Sequence, residues 1–168
     1  MSKAKGGSRG RIPARVRSSA RKAAHARGTA VNHRGDLGEA AFAHKAISLG
    51  FMVAKPYGHQ HRYDFIVEGG SGFRSVQVKA CAHIFYGQYQ TSIFCRKDRL
   101  KVAYTASDVD FVAVHIIPEE TWYVLPVREV AGRMGLRFRP KGHPGRDRYA
   151  HSREAWHLLR EPDGLSFG

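Results

Sequence analysis

The chain has 168 residues, of which 42% are hydrophobic, and this is enough for one domain with a buried core. Its 28 Lys and Arg residues outnumber 14 Asp and Glu residues, which gives a formal net charge of +14. This excess indicates a polyanionic partner, nucleic acid first, because binding to phosphates releases condensed counterions. No apolar run approaches the roughly 18 residues of a spanning helix, so a membrane protein is not expected.

Residues 1–34 are predicted to form a basic, disordered arm. They contain ten Lys or Arg residues and no Asp or Glu, a composition that cannot bury enough apolar surface to fold alone. We interpret the arm as a sequence-tolerant DNA tether, and a merely solubilising arm is the alternative. A mitochondrial transit peptide has a similar composition, but the arm has only a thin apolar face and no apolar segment typical of a secretory signal. We therefore expect a cytoplasmic, bacterial-type protein, with an organellar one as the alternative.

The first regular element is a helix predicted at Asp36–Leu49, with Gly50 as its C-terminal stop. Its apolar stripe is expected at Ala40, Ala43 and His44 or Ile47. Glu39 would lie in the first turn. The spacing Asp36-x-x-Glu39 is that of a capping box, so Glu39 is either a capping residue or a metal ligand.

Two strands joined by a Gly/Ser turn are predicted between Arg62 and Ala80. Because side chains alternate along a strand, Asp64 on the first strand shares a face with Gln77 and Lys79 on the second. Carboxylate and amide oxygens are ligands that Mg²⁺ takes, and an ammonium group beside the ion can orient a water or neutralise phosphate charge. The cluster therefore has the parts of a phosphodiester-cleaving site.

Both charged residues of this hairpin also have simpler interpretations. Asp64 could pair with Arg62 or Arg74 at a strand edge, and Lys79 could protect a sheet edge against aggregation.

Further strands are predicted at 51–55, within 84–95, at 109–117 and at 122–125. Asp108 and Asp110 are expected to begin a strand or cap a turn and to lie outside the site. The basic segment that follows is predicted to be a loop between a short helix near Arg128 and a last helix at Ser152–Arg160. That last helix would dock on the sheet through Ala155, Trp156 and Leu159.

Zinc is disfavoured because His59-x-His61 and Cys81-x-His83 lack a Cys-x-x-Cys pair, and two unpatterned cysteines suit a reducing compartment. Phosphate contacts are predicted at His61, Arg62, Arg137, Arg139, Lys141, Arg146 and Arg148.

The set formed by Glu39, Asp64 and Gln77-x-Lys79, on a helix followed by strands, resembles the PD-(D/E)XK nuclease superfamily. The resemblance is closest to the group I intron-associated endonucleases whose motif ends in Gln-Val-Lys, and it extends from Gly35 to Val127. Tyr63 stands where the motif has its nominal proline, which does no chemistry. Gln77 replaces an acidic residue, so metal affinity should be lower and depend more on bound substrate phosphates.

The resemblance implies an α/β, restriction-endonuclease-like fold with a mixed central sheet flanked by helices. The core would span 35–127, with a basic extension at 128–168. It implies a Mg²⁺-dependent DNA endonuclease, with Mn²⁺ as a possible substitute, that is homing or restriction-like and homo-oligomeric. Asp64, Gln77 and Glu39 would hold the metal, and Lys79 would position the attacking water. A Holliday-junction or repair endonuclease and a non-catalytic nucleic-acid-binding protein on a degenerate nuclease fold remain the alternatives.

Overall fold

The computed structural model describes residues 33–58, 60–70, 72–140, 143 and 145–160. Contacts divide the chain into the units Met1–Arg34 and Gly35–Gly168, and the sheets described below belong to the second unit. The predicted basic arm lies outside the described residues except for its last two. Among the described helices, none is long and apolar enough to cross a membrane.

Two α-helices, ten strands and three short 3-10 helices follow one another within the described residues. The α-helices are α1 at 33–48 and α2 at Val127–Val130. The first five strands are β1 Met52–Ala54, β2 Phe65–Gly69, β3 Gly72–Cys81, β4 Ile84–Phe85 and β5 Gln88–Ser92. The other five are β6 Phe94–Lys97, β7 Leu100–Ala103, β8 Phe111–Ile116, β9 Thr121–Pro126 and β10 Gly135–Phe138. The 3-10 helices are Ile117–Glu119, Ala150–Ser152 and Trp156–Leu159.

The central sheet has five strands in the order β1-β2-β3-β8-β9. β3 and β8 are parallel, with Val76 opposite Phe111, and every other pair is antiparallel. A three-stranded sheet, β10-β5-β4, and a two-stranded sheet, β6-β7, accompany it. The predicted mixed central sheet is confirmed, and its middle strand, β3, carries Gln77 and Lys79.

The alternation of side chains along these strands builds one core on each face of the central sheet. Phe42 and Ala46 of α1 pack against one face, together with Phe65, Val76 and Trp156. The other face is covered by a second core, whose central-sheet members include Val112, Val114, Tyr123 and Leu125. This two-sided burial is the reason that β8 is apolar almost throughout.

Helix α1 differs from its prediction in its start and in its buried face. It is already helical at residue 33, so Asp36 and Glu39 lie inside it and form no capping box. Its buried stripe is Gly38, Phe42 and Ala46, whereas Ile47 is 61% exposed. The spacing of four residues centres the stripe on the large Phe42, which the predicted stripe omitted. The predicted end at Gly50 is confirmed by Schellman-type bonds from Gly50 N–H to Ile47 and from Phe51 N–H to Ala46.

The predicted last helix at Ser152–Arg160 is wrong. Two 3-10 turns, Ala150–Ser152 and Trp156–Leu159, are separated by residues 153–155, and Arg153 makes a β-bridge with Tyr123. Glu154 has a φ of 52°, donates its N–H to Trp122 O and accepts the Trp122 N–H through Oε1. Pairing with β9 therefore replaces helical bonds. The predicted docking on the sheet is confirmed, since Ala155, Trp156 and Leu159 are buried.

The strands β7 and β10 were absent from the prediction. β7 pairs with β6, and β10 pairs with β5 inside the segment that was interpreted as a basic loop. Within β10, Leu136 and Phe138 are buried while Gly135 and Arg137 are exposed. This period of two was obscured because arginines and glycines surround only two apolar residues.

Candidate functional site

The hairpin of β2 and β3 brings Asp64 and Gln77 into direct contact, as the sequence predicts. Phe65 stands opposite Val76, and the Asp64 N–H donates to Val76 O at 2.9 Å. The Oδ2 atom of Asp64 accepts a bond from Gln77 Nε2 and another, of 2.8 Å, from the Val78 N–H. Two donors from β3 thus fix the orientation of this carboxylate.

The orientation of the Gln77 amide differs from the one that its predicted role as a metal ligand requires. Its nitrogen donates to Asp64 and to Val78 O, while its Oε1 accepts a 3.1 Å bond from the hydroxyl of Tyr104. Gln77 and Tyr104 are both buried. Gln77 is therefore placed to orient Asp64, and direct coordination of a metal by its oxygen would require the amide to rotate away from Tyr104.

Glu39 reaches the same site from α1 because the helix lies very close to β3. A Cβ on Gly38 would stand 2.8 Å from Ala80 Cβ, so only glycine permits this approach. Glu39 Oε2 accepts a 2.6 Å ion-pair bond from Lys55 Nζ, just beyond β1. The Lys55 side chain is 63% exposed, and such a pair adds little stability. Its effect is to fix the position of Glu39.

Burial and mutual charge shift the titration of the two central groups. Burial is the largest cause that raises the pKa of Asp64, and the charge of Glu39 raises it further. The Val78 N–H and the charge of Lys79 act in the opposite direction. Burial lowers the pKa of Lys79 despite the attraction of Asp64 and Glu39. Burial also raises the pKa of Tyr104, so its hydroxyl keeps the proton that it donates to Gln77. We call Glu39, Asp64, Gln77 and Lys79 the Asp64 cluster.

The simpler interpretations of Asp64 and Lys79 are wrong. Arg62 forms its ion pair with Asp108, and within the described ranges Asp64 bonds to Gln77 and Val78 and forms no ion pair with either Arg62 or Arg74. Lys79 stands opposite Val114 in the middle of the sheet, where no edge needs protection. Asp108 caps a turn, as predicted, since its Oδ2 accepts the Thr105 N–H. Asp110 immediately precedes β8, and its Oδ2 accepts the Ser75 N–H.

The donor set of the Asp64 cluster fits a hard divalent cation. Within the described ranges, no group of three or more His, Cys, Asp or Glu residues is suited to hold a metal. Mg²⁺, however, binds through one or two carboxylates and completes its shell with waters and substrate phosphates. Asp64 Oδ1 and Glu39 Oε1 form no hydrogen bond with any residue that the structure describes, so both are available to such an ion.

The residues predicted to contact phosphate separate into two groups. Near the Asp64 cluster, His61 Nε2 lies 3.2 Å from Tyr57 O, and Arg62 is held by Asp108. The other described residues lie around one cavity on the three-stranded sheet and are Arg137, Arg139, Arg146 and Arg148. Lys141 lies outside the described residues.

Two residues of the site were missed by sequence reasoning. Lys55 is a lysine at the end of a predicted strand, and its partnership with Glu39 depends on how α1 crosses the sheet. Tyr104 lies 27 residues beyond Gln77 and reaches it only through the fold. A polar hydroxyl beside a buried amide could have been expected, but nothing local identifies which tyrosine supplies it.

Comparison with known proteins gives a family and a structural neighbour. A model of the family described as PD-(D/E)XK endonuclease matches residues 29–159. The chain is similar to the solved structure of a bacterial homing endonuclease, I-Ssp6803I, with 26% identity and a TM-score of 0.66 over 76% of this chain and 91% of that chain. MepB matches with 12% identity and a TM-score of 0.42 over 64% and 83% of the two chains. No curated protein matches.

Proposed function

This chain belongs to the PD-(D/E)XK endonuclease family, and from that premise we propose that it is a Mg²⁺-dependent DNA endonuclease in which the Asp64 cluster performs the hydrolysis. One observation carries the proposal. Glu39 from α1, Asp64 just before β2 and Lys79 from β3 lie close enough for their charges to interact, and Gln77 of β3 bonds to Asp64. Asp64 and Lys79 are largely buried, and buried charges are costly unless they serve chemistry.

The carboxylates of Asp64 and Glu39 are the groups proposed to hold the divalent ion. When bound, such an ion neutralises charge on the phosphate and lowers the pKa of a coordinated water. Gln77 and the Val78 N–H hold Asp64 so that Oδ1 stays available. Mn²⁺ is expected to replace Mg²⁺, since both take oxygen ligands.

Lys79 is proposed to position the attacking water and to neutralise charge that develops on the phosphate. Its lowered pKa means that it gives up a proton more readily than an exposed lysine. Because burial raises the pKa of Asp64, this carboxyl ionises and becomes able to hold a cation only as the pH rises. Because burial lowers the pKa of Lys79, the ammonium charge proposed to neutralise the phosphate is lost at a lower pH than in an exposed lysine. Cleavage should therefore rise and then fall as the pH is increased, with Asp64 setting the acidic limb and Lys79 the alkaline limb.

The homing or restriction-like role is supported by the likeness to a bacterial homing endonuclease. Cleaving both strands of a duplex usually takes two active sites, so a homo-oligomer is part of the proposal. A Holliday-junction or repair endonuclease would use the same four residues, and only the substrate separates these activities.

A non-catalytic binding protein is the second candidate, and the orientation of Gln77 favours it. An amide nitrogen faces Asp64, and the site offers two carboxylates instead of three acidic groups. If this candidate is right, the affinity for DNA depends steeply on salt and does not depend on Mg²⁺. Lys79→Met then retains DNA binding with the same salt dependence.

The test is a cleavage assay with Mg²⁺, Mn²⁺ or EDTA on supercoiled plasmid, on plasmid that carries the DNA flanking the gene itself, and on four-way junctions. We expect cleavage of at least one substrate in Mg²⁺ and none in EDTA. Asp64→Ala and Lys79→Met should lower the rate by about 10²–10³-fold, the usual effect of removing one group that stabilises transition-state charge.

Lys97→Met is the matched control, since Lys97 is an exposed lysine on β6 outside the cluster. It should cleave like the unsubstituted chain. Cleavage that persists in Asp64→Ala or Lys79→Met would remove the Asp64 cluster from the reaction.

A further inference from the structure

A cavity of about 450 Å³ opens on the three-stranded sheet β10-β5-β4. Its basic lining residues are Arg133, Arg137, Arg139, Arg146 and Arg148. Gln88 and Tyr149 also line it, and no acidic residue of the described ranges does. We call this cavity the arginine pocket. None of its lining residues belongs to the Asp64 cluster.

The fold gathers these arginines from three places along the chain: the segment before β10, β10 with the residue that follows it, and the segment 145–149. The alternation along β10 buries Leu136 and Phe138 and leaves Arg137 exposed on the opposite face, where it stands in register with Gln90 of β5. The guanidinium of Arg139 lies against Gly145, where a Cβ would come within 1.6 Å of Nη1. Gly145 thereby makes room for Arg139, and the φ of +92° at this position disfavours any other residue.

The positive charge of the arginine pocket is not compensated by the described part of the chain. Among the residues that the structure describes, none of the five arginines forms an ion pair. Asp147, which separates Arg146 from Arg148, accepts bonds from the Tyr123 hydroxyl and the Tyr149 N–H. Arg139 Nε is buried and has no hydrogen-bond partner within the same described residues. A buried donor without an acceptor costs about 1–3 kcal/mol, so the pocket favours an external acceptor.

Guanidinium groups bind phosphate oxygens through pairs of parallel N–H bonds, which makes arginine the usual residue for phosphate recognition. We propose that the arginine pocket binds backbone phosphates of the DNA substrate, apart from the phosphate that is cleaved. The proposal rests on the proposed nuclease function for its choice of polyanion. Duplex DNA carries a charge about every 1.7 Å along its axis and so can neutralise several guanidinium groups at once.

The experiment measures the dissociation constant of the full chain for a random-sequence fluorescent duplex, in EDTA, over a series of KCl concentrations. The variant Arg137→Gln/Arg146→Gln removes two charges from the pocket. The control Arg96→Gln/Lys97→Gln removes two exposed charges from β6. A third variant, Arg139→Lys, keeps the charge and removes the buried Nε.

The pocket double variant should weaken binding by about tenfold. It should also make the slope of log K against log[salt] less steep, by the amount that corresponds to the loss of about two phosphate contacts. The control double variant should weaken it by about threefold at most. Arg139→Lys should weaken binding although the net charge is unchanged, because lysine cannot form the two-pronged contact. Equal effects of the two double variants, with no effect of Arg139→Lys, would mean diffuse electrostatic binding and would overturn the proposal.

A second arm separates DNA from free phosphate as the source of the ligand. The NMR signal of Arg139 Nε–Hε is followed while the duplex, or inorganic phosphate at matched ionic strength, is added. The proposal predicts a shift with DNA. A shift with phosphate alone would identify a small-anion site and overturn it. Since neither arm uses cleavage, failure of the pocket and failure of the nuclease assignment give different results.

Discussion

The Asp64 cluster and the arginine pocket are both charged, but they differ in how their charges are satisfied. In the Asp64 cluster each acidic group already has a partner from the protein: Gln77 and Val78 hold Asp64, and Lys55 holds Glu39. In the arginine pocket, five guanidinium groups gather and the acidic residue nearest in sequence, Asp147, binds elsewhere.

This difference separates two tasks. A catalytic group must be held in one geometry before substrate arrives, so its hydrogen bonds come from the protein. A docking surface gains its binding energy from contacts that form only in the complex, so its donors are left without partners in the free protein. Changes in the Asp64 cluster should therefore alter rates and metal dependence, and changes in the arginine pocket should alter affinity.

The largest of three further effects is expected for Tyr104→Phe. Removing the hydroxyl leaves Gln77 Oε1 buried without its donor and loosens the amide that orients Asp64. We expect the cleavage rate to fall by about tenfold, the value of one buried hydrogen bond, and the Mg²⁺ concentration for half-maximal rate to rise. DNA affinity in EDTA should not change.

Tyr89→Phe is the matched control for Tyr104→Phe, because Tyr89 is also buried and donates its hydroxyl to Glu119 outside the cluster. It should leave the rate and the Mg²⁺ dependence unchanged. Equal losses in the two variants would mean that the Tyr104 bond serves stability alone, and would break the distinction between the two regions at this residue.

A smaller effect is expected on the stability of Asp64→Asn. The pKa of Asp64 is higher in the folded chain than in the unfolded chain. At a pH above the folded-state pKa the buried carboxylate therefore destabilises the fold, and at a pH below the unfolded-state pKa this effect is absent. At neutral pH, Asp64→Asn should raise the free energy of unfolding by about 1 kcal/mol in urea titrations. The gain should disappear as the pH falls below the range in which aspartate ionises.

Asp36→Asn is the control for this stability effect, since Asp36 is exposed on α1. It should change the free energy of unfolding by less than about 0.5 kcal/mol. A loss of stability in Asp64→Asn at neutral pH would contradict the view that the cluster is held at a cost to the fold.

The smallest effect is expected for Lys55→Met, which removes one positive charge from beside Glu39. The acidic pair then attracts a cation more strongly, so the Mg²⁺ concentration for half-maximal cleavage should fall by about threefold. This estimate corresponds to the free energy of an exposed ion pair. A rise in the required Mg²⁺ would show instead that Lys55 matters chiefly by holding Glu39 in place.

The sequence predicted the structure correctly where residues close together in the chain also contact one another in the fold. The alternation in β2 and β3 fixed which face carries Asp64 and Gln77, because the short turn between the strands leaves few registers open. The same reasoning failed for β10, where Leu136 and Phe138 alone mark the buried face among arginines and glycines. It also failed for the last segment, where pairing of Arg153 with Tyr123 overrides a helical pattern.

The contacts that tune the site could not be predicted, since they join residues distant in sequence. Tyr104 meets Gln77, and Lys55 meets Glu39, only after α1 and the second core have packed on the sheet. Four arginines of the pocket were predicted to contact phosphate, but their common cavity and the addition of Arg133 follow from the strand β10.

The most direct test measures two quantities in the same preparations: the single-turnover cleavage rate at saturating DNA and the dissociation constant of that DNA in EDTA. Lys79→Met should lower the rate by about 10²–10³-fold and change the dissociation constant by about threefold at most. Arg137→Gln/Arg146→Gln should raise the dissociation constant by about tenfold and leave the saturating rate unchanged. A pocket variant that lowers the saturating rate as much as Lys79→Met, or a Lys79→Met variant that cleaves normally, would contradict the division of tasks between the two regions.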